Sequence, residues 1–342
     1  MDDSHPVFPH QIKIAKELSA RFTNVLVITN YVKLPVSDLP KNMIIKSINW
    51  QTNKPWSNTT NLIKAFFEFK YRYGFEVIFS HMTEVQSALI APIARFLGVF
   101  HVLWYAHKSR SNYLVWNNFW LNRILTSTRS SCPITSKKVV AIGQGVDSSL
   151  FQFHQSRNYS QKSRWIHVGR IDPSKRIDFI VSLFISNVST HGLSELLVVG
   201  SPTKIGTNYA KQIEQSVLNN EPSKISFLGP RNQLEINSLL ISTDLFIHAF
   251  QGSLDKSLVE ATLTGINVVT CNEEYLREFG SLTPNLEKSS DESILKSEIQ
   301  SFFKLSQDEL GEIAQRRAEI ALKRHSQHQW MKALVRELSN RP

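Results

Sequence analysis

The stretch Trp165-Ile-His-Val-Gly-Arg-Ile-Asp-Pro-Ser-Lys-Arg176 decides how this chain is read. A short apolar, β-favouring run enters a Gly-Arg pair, and Lys175 follows five positions after Arg170. Apolar spacing at Ile177, Ile180, Val181 and Phe184 predicts a helix directly afterwards. A buried parallel strand therefore ends in a loop holding two cations beside a helix N-terminus. That combination, at the carboxyl end of a strand, makes an anion site suited to a diphosphate. The same residues also fit a strand–loop–helix with two solvated cations, so other segments must decide.

Asp244-Leu-Phe-Ile-His-Ala-Phe250 reads as a second buried strand, opened into a loop by Gly252 and Ser253. Lys256 to Leu263 has helical spacing, Gly265 can end that helix, and Val268-Val269 starts another strand. Glu260 is a carboxylate inside this otherwise apolar helix. A buried carboxylate needs a partner: a ribose diol would serve, and so would a nearby Lys or Arg. Upstream, Lys137-Lys-Val-Val-Ala-Ile-Gly-Gln-Gly-Val-Asp147 reads as a short strand ending in Gly-x-Gly and an Asx-type turn, with Phe151 shortly after.

Taken in order, these segments resemble the group-1 retaining glycosyltransferases, which have the two-domain GT-B fold. The blocks carrying the resemblance are Gln144-Gly-Val-Asp147 with Phe151, Val168-Gly-Arg-Ile-Asp-Pro-Ser-Lys175, and Val259-Glu-Ala-Thr-Leu-Thr-Gly-Ile-Asn-Val-Val269. Leu196–Gly200 and Ile225–Gly229 stand between them as strands, and the likeness runs from about His5 to Trp330. It implies two Rossmann-like, doubly wound parallel-sheet domains. It also implies a nucleotide diphosphate sugar as donor substrate, with no cofactor and no metal.

The resemblance further implies roles for single residues. Arg170 and Lys175, beside Gly169, would neutralise the leaving diphosphate, and amides near Leu254 and Asp255 would face it. Glu260 would hold the ribose hydroxyls. His107, after the strand Val102–Tyr105, would lie near the transferred sugar and the acceptor, with Lys108 beside it. His5, Pro6 and His10 match a His-Pro-x-x-x-His acceptor loop of a bacterial polysaccharide subgroup, as does Gly252-Ser-Leu-Asp-Lys256. The chain departs from the family in two places. Gly252 stands where many members carry a first glutamate, leaving Asp255 and Lys256 as substitute contacts to the donor sugar. The usual first strand is missing from the first domain.

The chain of 342 residues is long enough for two cores. No run of about 18 apolar residues occurs, and Met1-Asp-Asp-Ser-His-Pro does not read as a secretory signal. Cys132 and Cys271 are far apart, as in a cytoplasmic protein with reduced thiols. Residues 1–160 hold 18 Lys and Arg against 8 Asp and Glu, whereas residues 161–342 hold 21 of each. The basic excess in the first half suits an anionic partner, a lipid-linked diphosphate or a membrane leaflet at the inner face, or it serves solubility alone. No nucleic-acid-binding motif is present.

Alternating strands and helices imply domains at 1–155 and 156–325, with 326–342 as a helix packing back on the first. The polar stretch Phe153–Ser163 reads as the linker. The function expected is transfer of a hexose, with retention, to a lipid-linked or saccharide acceptor in cell-surface polysaccharide synthesis. A degenerate, non-catalytic relative that binds nucleotide or a partner subunit is a second reading. A nucleotide-sugar epimerase of the same architecture is a third, although no extra acid–base carboxylates are evident. Absence of Gly-x-Gly-x-x-Gly after a strand argues against a dehydrogenase.

Overall fold

The computed structural model describes residues 9–32, 39–220, 223–284, 286 and 290–340. Contacts divide the chain into two units, Met1–Ile142 with Trp330–Pro342, and Gly143–Gln329. Among the described residues no helix is long and apolar enough to cross a membrane.

In the second unit, β7 (Arg164–Val168), β8 (Glu195–Val199), β9 (Ile225–Gly229), β10 (Leu245–His248) and β11 (Asn267–Thr270) form one parallel sheet, ordered β11-β10-β7-β8-β9. Helices α5 (Ile177–His191), α6 (Thr207–Asn220), α7 (Gln233–Ser242) and α8 (Lys256–Leu263) connect consecutive strands. Successive residues of each strand enter opposite cores. Trp165, Leu196, Val198, Leu245 and Ile247 join one, while Ile166, Leu197, Val199 and Phe246 join the other. Burial on both faces explains why these strands read as continuous apolar runs. Strand order reverses at β7, so a crevice opens at its carboxyl end, where α/β sheets bind ligands.

In the first unit, β1 (Val25–Thr29) pairs in parallel with β2 (Met43–Ser47). Separately, β3 (Val77–His81), β4 (Phe100–Trp104), β5 (Arg123–Thr126) and β6 (Val139–Ala141) form a second parallel piece. Helices α1 (Pro9–Ser19), α2 (Pro55–Tyr73), α3 (Glu84–Phe96) and α4 (Asn112–Trp120) accompany them. Among the described residues no strand stands between β1 and β3, as the missing first strand implies. A slot of about 720 Å3 lies there, lined by Val25–Asn30 and Glu76–His81 with Ile14, Leu18, Leu62 and Phe66. The last helix described, Gln327–Ser339, buries Trp330, Met331, Leu334 and Leu338 against Val102, Trp104 and Leu125.

The chain passes between units at Gly143, earlier than the expected boundary after residue 155. Val146 and Phe151 are buried in a second-unit core. Phe153–Ser163 is not a free linker either. Arg157 donates from Nη1 to the Thr243 carbonyl at 2.6 Å and from Nη2 to the Leu240 carbonyl at 2.7 Å. Tyr159 Oη donates to the Gly265 carbonyl at 2.9 Å. These polar side chains satisfy backbone carbonyls that would otherwise be buried without partners.

Candidate functional site

The loop after β7 is fixed by backbone contacts. Gly169 N–H donates to the Val199 carbonyl at 2.9 Å. Gly200, at φ 143°, lies so close that a Cβ there would stand 1.9 Å from the Gly169 carbonyl oxygen, so only glycine fits. Asp172 accepts from Ser174 N–H at 3.1 Å and from Thr203 Oγ1 at 2.8 Å, which pins the loop. Hydrogen bonds from Ser174 and then Thr203 hold its carboxyl below the ordinary range. Arg170 is exposed and forms no ion pair among the described residues. Lys175 ends the short turn Pro173–Lys175 and is 5% exposed.

Lys175 does not reach solvent as Arg170 does. Its Nζ forms an ion pair with Asp255 Oδ2 and lies 3.7 Å from the centre of the Phe250 ring. The same oxygen accepts from His248 Nε2 at 3.0 Å, and His248 Nδ1 lies 3.2 Å from Thr270 Oγ1. Burial lowers the His248 pKa, so the ring is neutral, with its proton on Nε2 and Nδ1 accepting from Thr270. Burial alone would raise the Asp255 pKa, but the His248 hydrogen bond and the Lys175 charge hold it well below the ordinary range. Asp255 is thus an anion shared by a lysine and a histidine. Its Oδ2 is committed to Lys175 and His248.

Asp255 also occupies the N-cap position of α8, but its side chain makes no cap hydrogen bond. The first-turn amides of α8 therefore keep their donors for another acceptor. Leu254 is 1% exposed, and its carbonyl accepts from Gln144 Nε2 at 2.8 Å, tying the Gly-x-Gly segment to the helix start. Lys256 begins α8, and its charge acts on Glu260. Glu260 is 7% exposed, and its side chain forms no ion pair or hydrogen bond among the described residues. Burial raises its pKa, only partly opposed by Lys256. The Lys or Arg partner considered from sequence is therefore not used.

A side chain at position 252 would require the Phe250 ring to move. A Cβ on Gly252 would sit 1.9 Å from Cζ of Phe250, the ring that underlies Lys175. Asn272 Nδ2 donates to the Phe250 carbonyl at 2.8 Å and holds this loop from the next strand. His167, His248, Phe250 and Asn272 were not singled out in the sequence. His167 is fully buried, its pKa pushed down to about 3 by burial and by His248. The only hint in the sequence was a histidine inside each of two apolar strands.

In the first unit, His107 follows β4, is exposed, and sets its ring 5.9 Å from that of Tyr105. Lys108 is half-buried. His5 lies outside the described residues. The backbone of His10 belongs to α1, and its side chain is not described. Among the described residues no group of His, Cys, Asp and Glu is arranged to hold a metal ion.

No protein-family profile and no curated protein matches the chain. Solved structures do match. Anabaena Alr3699/HepE in complex with UDP and glucose superposes with a TM-score of 0.73 at 15% identity, over 97% of this chain and 95% of that one. A glycosyltransferase from Rickettsia africae superposes at 0.72 and 15% identity, over 99% and 97%. Staphylococcus aureus TarM superposes at 0.64 and 12% identity, over 83% of this chain and 58% of TarM. The fold is that of the two-domain GT-B glycosyltransferases.

Proposed function

We propose that this chain is a glycosyltransferase that moves a hexose from a nucleotide diphosphate sugar to a lipid-linked or saccharide acceptor, with retention. The observation that carries the reading is the cluster at the carboxyl end of β7: exposed Arg170, the Lys175–Asp255 pair, open amides at the start of α8, and unpartnered Glu260. Fixed cations and amides aimed at a leaving group stabilise the charge that develops as the bond breaks. The anomeric carbon–oxygen bond of the donor breaks, its electron pair leaves on the diphosphate, and the acceptor oxygen forms the new bond as its proton passes to the departing diphosphate. Arg170 and Lys175, beside Gly169, take the diphosphate charge. Leu254, Asp255 and Lys256 shape the donor pocket, and Glu260 accepts hydrogen bonds from the ribose hydroxyls. In the same reading His107 is a catalytic residue near the transferred sugar, and His5, His10 and Lys108 are the acceptor-side residues.

The HepE complexes with UDP and glucose and with UDP-glucose make UDP and UDP-glucose the first ligands to test. The reading includes work on cell-surface polysaccharide at the inner membrane face, the basic first half meeting an anionic surface. A panel of nucleotide sugars is screened for protection against heat, and the protecting sugar is then supplied with acceptors. Protection by one nucleotide sugar followed by formation of an α-linked product supports the reading. Protection by none of them overturns it. A second reading, a relative that binds nucleotide without turnover, is favoured by the split first sheet. It predicts protection by the nucleotide with no loss of donor.

A further inference from the structure

The first unit carries an aromatic face that its own core does not use. Helix α4, Asn-Tyr-Leu-Val-Trp-Asn-Asn-Phe-Trp, contains no charged residue. Its inner side is committed: Leu114 is fully buried, and Asn117 accepts from Ser87 Oγ at 2.8 Å and donates to the Glu84 carbonyl at 2.8 Å. Its outer side is largely open: Trp116, whose Nε1 donates to the Ala88 carbonyl at 3.2 Å, is 49% exposed, Phe119 is 72% exposed, and Phe96 at the end of α3 is 82% exposed. Trp120 joins them into one patch, its ring 5.8 Å from Phe96, 5.7 Å from Trp116 and 5.0 Å from Phe119. Monomeric proteins seldom leave contiguous large apolar groups in water without a use.

Cations border this patch. Lys138 Nζ donates to the Asn118 carbonyl at 2.7 Å and the Phe119 carbonyl at 3.0 Å, capping the helix end. Burial lowers the Lys138 pKa, and the positive charges of Arg95 and Arg123 lower it further, so the three cations lie near one another. Arg123 has Glu337 at 3.8 Å. From Val85 to Val146 the sequence holds seven Lys and Arg and no Asp or Glu. Exposed Trp and Phe beside a cluster of cations with a single carboxylate partner among the described residues, Glu337 on Arg123, are the chemistry of a protein seated in an anionic lipid interface.

We propose that Phe96 and α4, with Arg95, Arg123 and Lys138 beside them, dock on an anionic membrane surface, the Trp116 and Phe119 rings entering the headgroup region. This deepens the membrane part of the reading above and does not depend on the transfer chemistry. The test is flotation with vesicles of phosphatidylcholine, alone or with about one third phosphatidylglycerol. The protein should float with acidic vesicles only, and less as salt rises. Replacing Trp116→Ser together with Phe119→Ser should weaken binding roughly tenfold or more, while the melting temperature stays unchanged. Brominated lipid should quench tryptophan fluorescence on binding. The conservative Trp116→Phe should keep binding and lose most of that quenching, which holds the test open if the double variant folds poorly. Failure of the wild type to bind acidic vesicles overturns the proposal, as does equal binding to neutral ones or quenching that Trp116→Phe leaves intact. A concentration-dependent dimer abolished by the double variant, without vesicle binding, would instead make this face an interface between copies. Protection by nucleotide sugars is measured without vesicles, so the two readings fail separately.

Discussion

Lys175 and Asp255 form a buried ion pair, and His248 donates to the same carboxylate oxygen at 3.0 Å. The pair joins the loop after β7 to the start of α8. Removing one partner strands the other in a poorly solvated site, which typically costs about 3–5 kcal/mol. Asp255→Ala should therefore destabilise the second unit by that order, whereas Lys175→Met combined with Asp255→Leu should recover much of the loss. Denaturant melts of Lys175→Met, Asp255→Leu and the double measure the coupling. Strictly additive losses would show that the two side chains act independently. Transfer should fall roughly 10²–10³-fold in Lys175→Ala and in Arg170→Ala, but only the Lys175 variant should also lose stability.

Glu260 presents the opposite case, a buried carboxylate with no partner among the described residues. Burial raises its folded pKa, so its stability contribution is fully present below the unfolded value and is lost as pH rises through the folded one. Glu260→Gln should then raise the melting temperature of the ligand-free protein at neutral pH. It should also weaken nucleotide binding by about 1.5–3 kcal/mol, the usual contribution of a charged hydrogen bond. Calorimetry with UDP and thermal melts without it give the two readouts. A variant that binds nucleotide normally would leave Glu260 without a ligand role.

The legible parts of the fold were those where one physical signal dominates. β7, β10 and β11 stand where the sequence places them because each is an apolar run buried on both faces between polar breaks. α4 and β5 went unread, because three Asn and aromatic residues around the whole helix leave no apolar stripe of helical period. Residues 153–163 read as a linker from polarity alone, yet Arg157 and Tyr159 spend that polarity on second-unit carbonyls. In the site, Glu260 stood out as a carboxylate in an apolar helix, and Arg170 and Lys175 as cations where a strand runs into a helix. The tie between Lys175 and Asp255 did not, because partners 80 residues apart leave no local pattern.

His101 gives the first unit a pH dependence of definite sign. It is buried within hydrogen-bond reach of Ser80 Oγ at 2.9 Å, and burial pushes its pKa down to about 3. The unfolded chain takes up a proton below the ordinary value of 6.5, while the folded ring stays neutral until about 3. Stability is therefore full above pH 6.5 and is lost as pH falls toward 3, amounting to roughly 2 kcal/mol at pH 5. His101→Gln should flatten this slope between pH 7 and 5, read from melts of the first unit. An unchanged slope would assign the effect to other groups.

The slot between β1 and β3 yields the last prediction. Among the described residues, Val25–Ile28 pair only with β2 and Val77–Ser80 only with β4, and both edges line a largely apolar cavity of about 720 Å3. Residues of both edges line the slot along its length, so an extended segment is the occupant that could pair with them. Unpaired edge groups and uncovered apolar faces lower stability. Amides of β1 and β3 should therefore exchange hydrogen faster than those of β7. A peptide of about five Val and Ile residues between flanking lysines should slow that exchange and raise the melting temperature of the first unit, leaving the second unchanged. Hydrogen exchange resolved by segment reads both effects. Protection of Val25–Ile28 and Val77–Ser80 equal to that of Trp165–Val168 without peptide would show that both edges are already covered, and the slot would not be a vacancy for a strand.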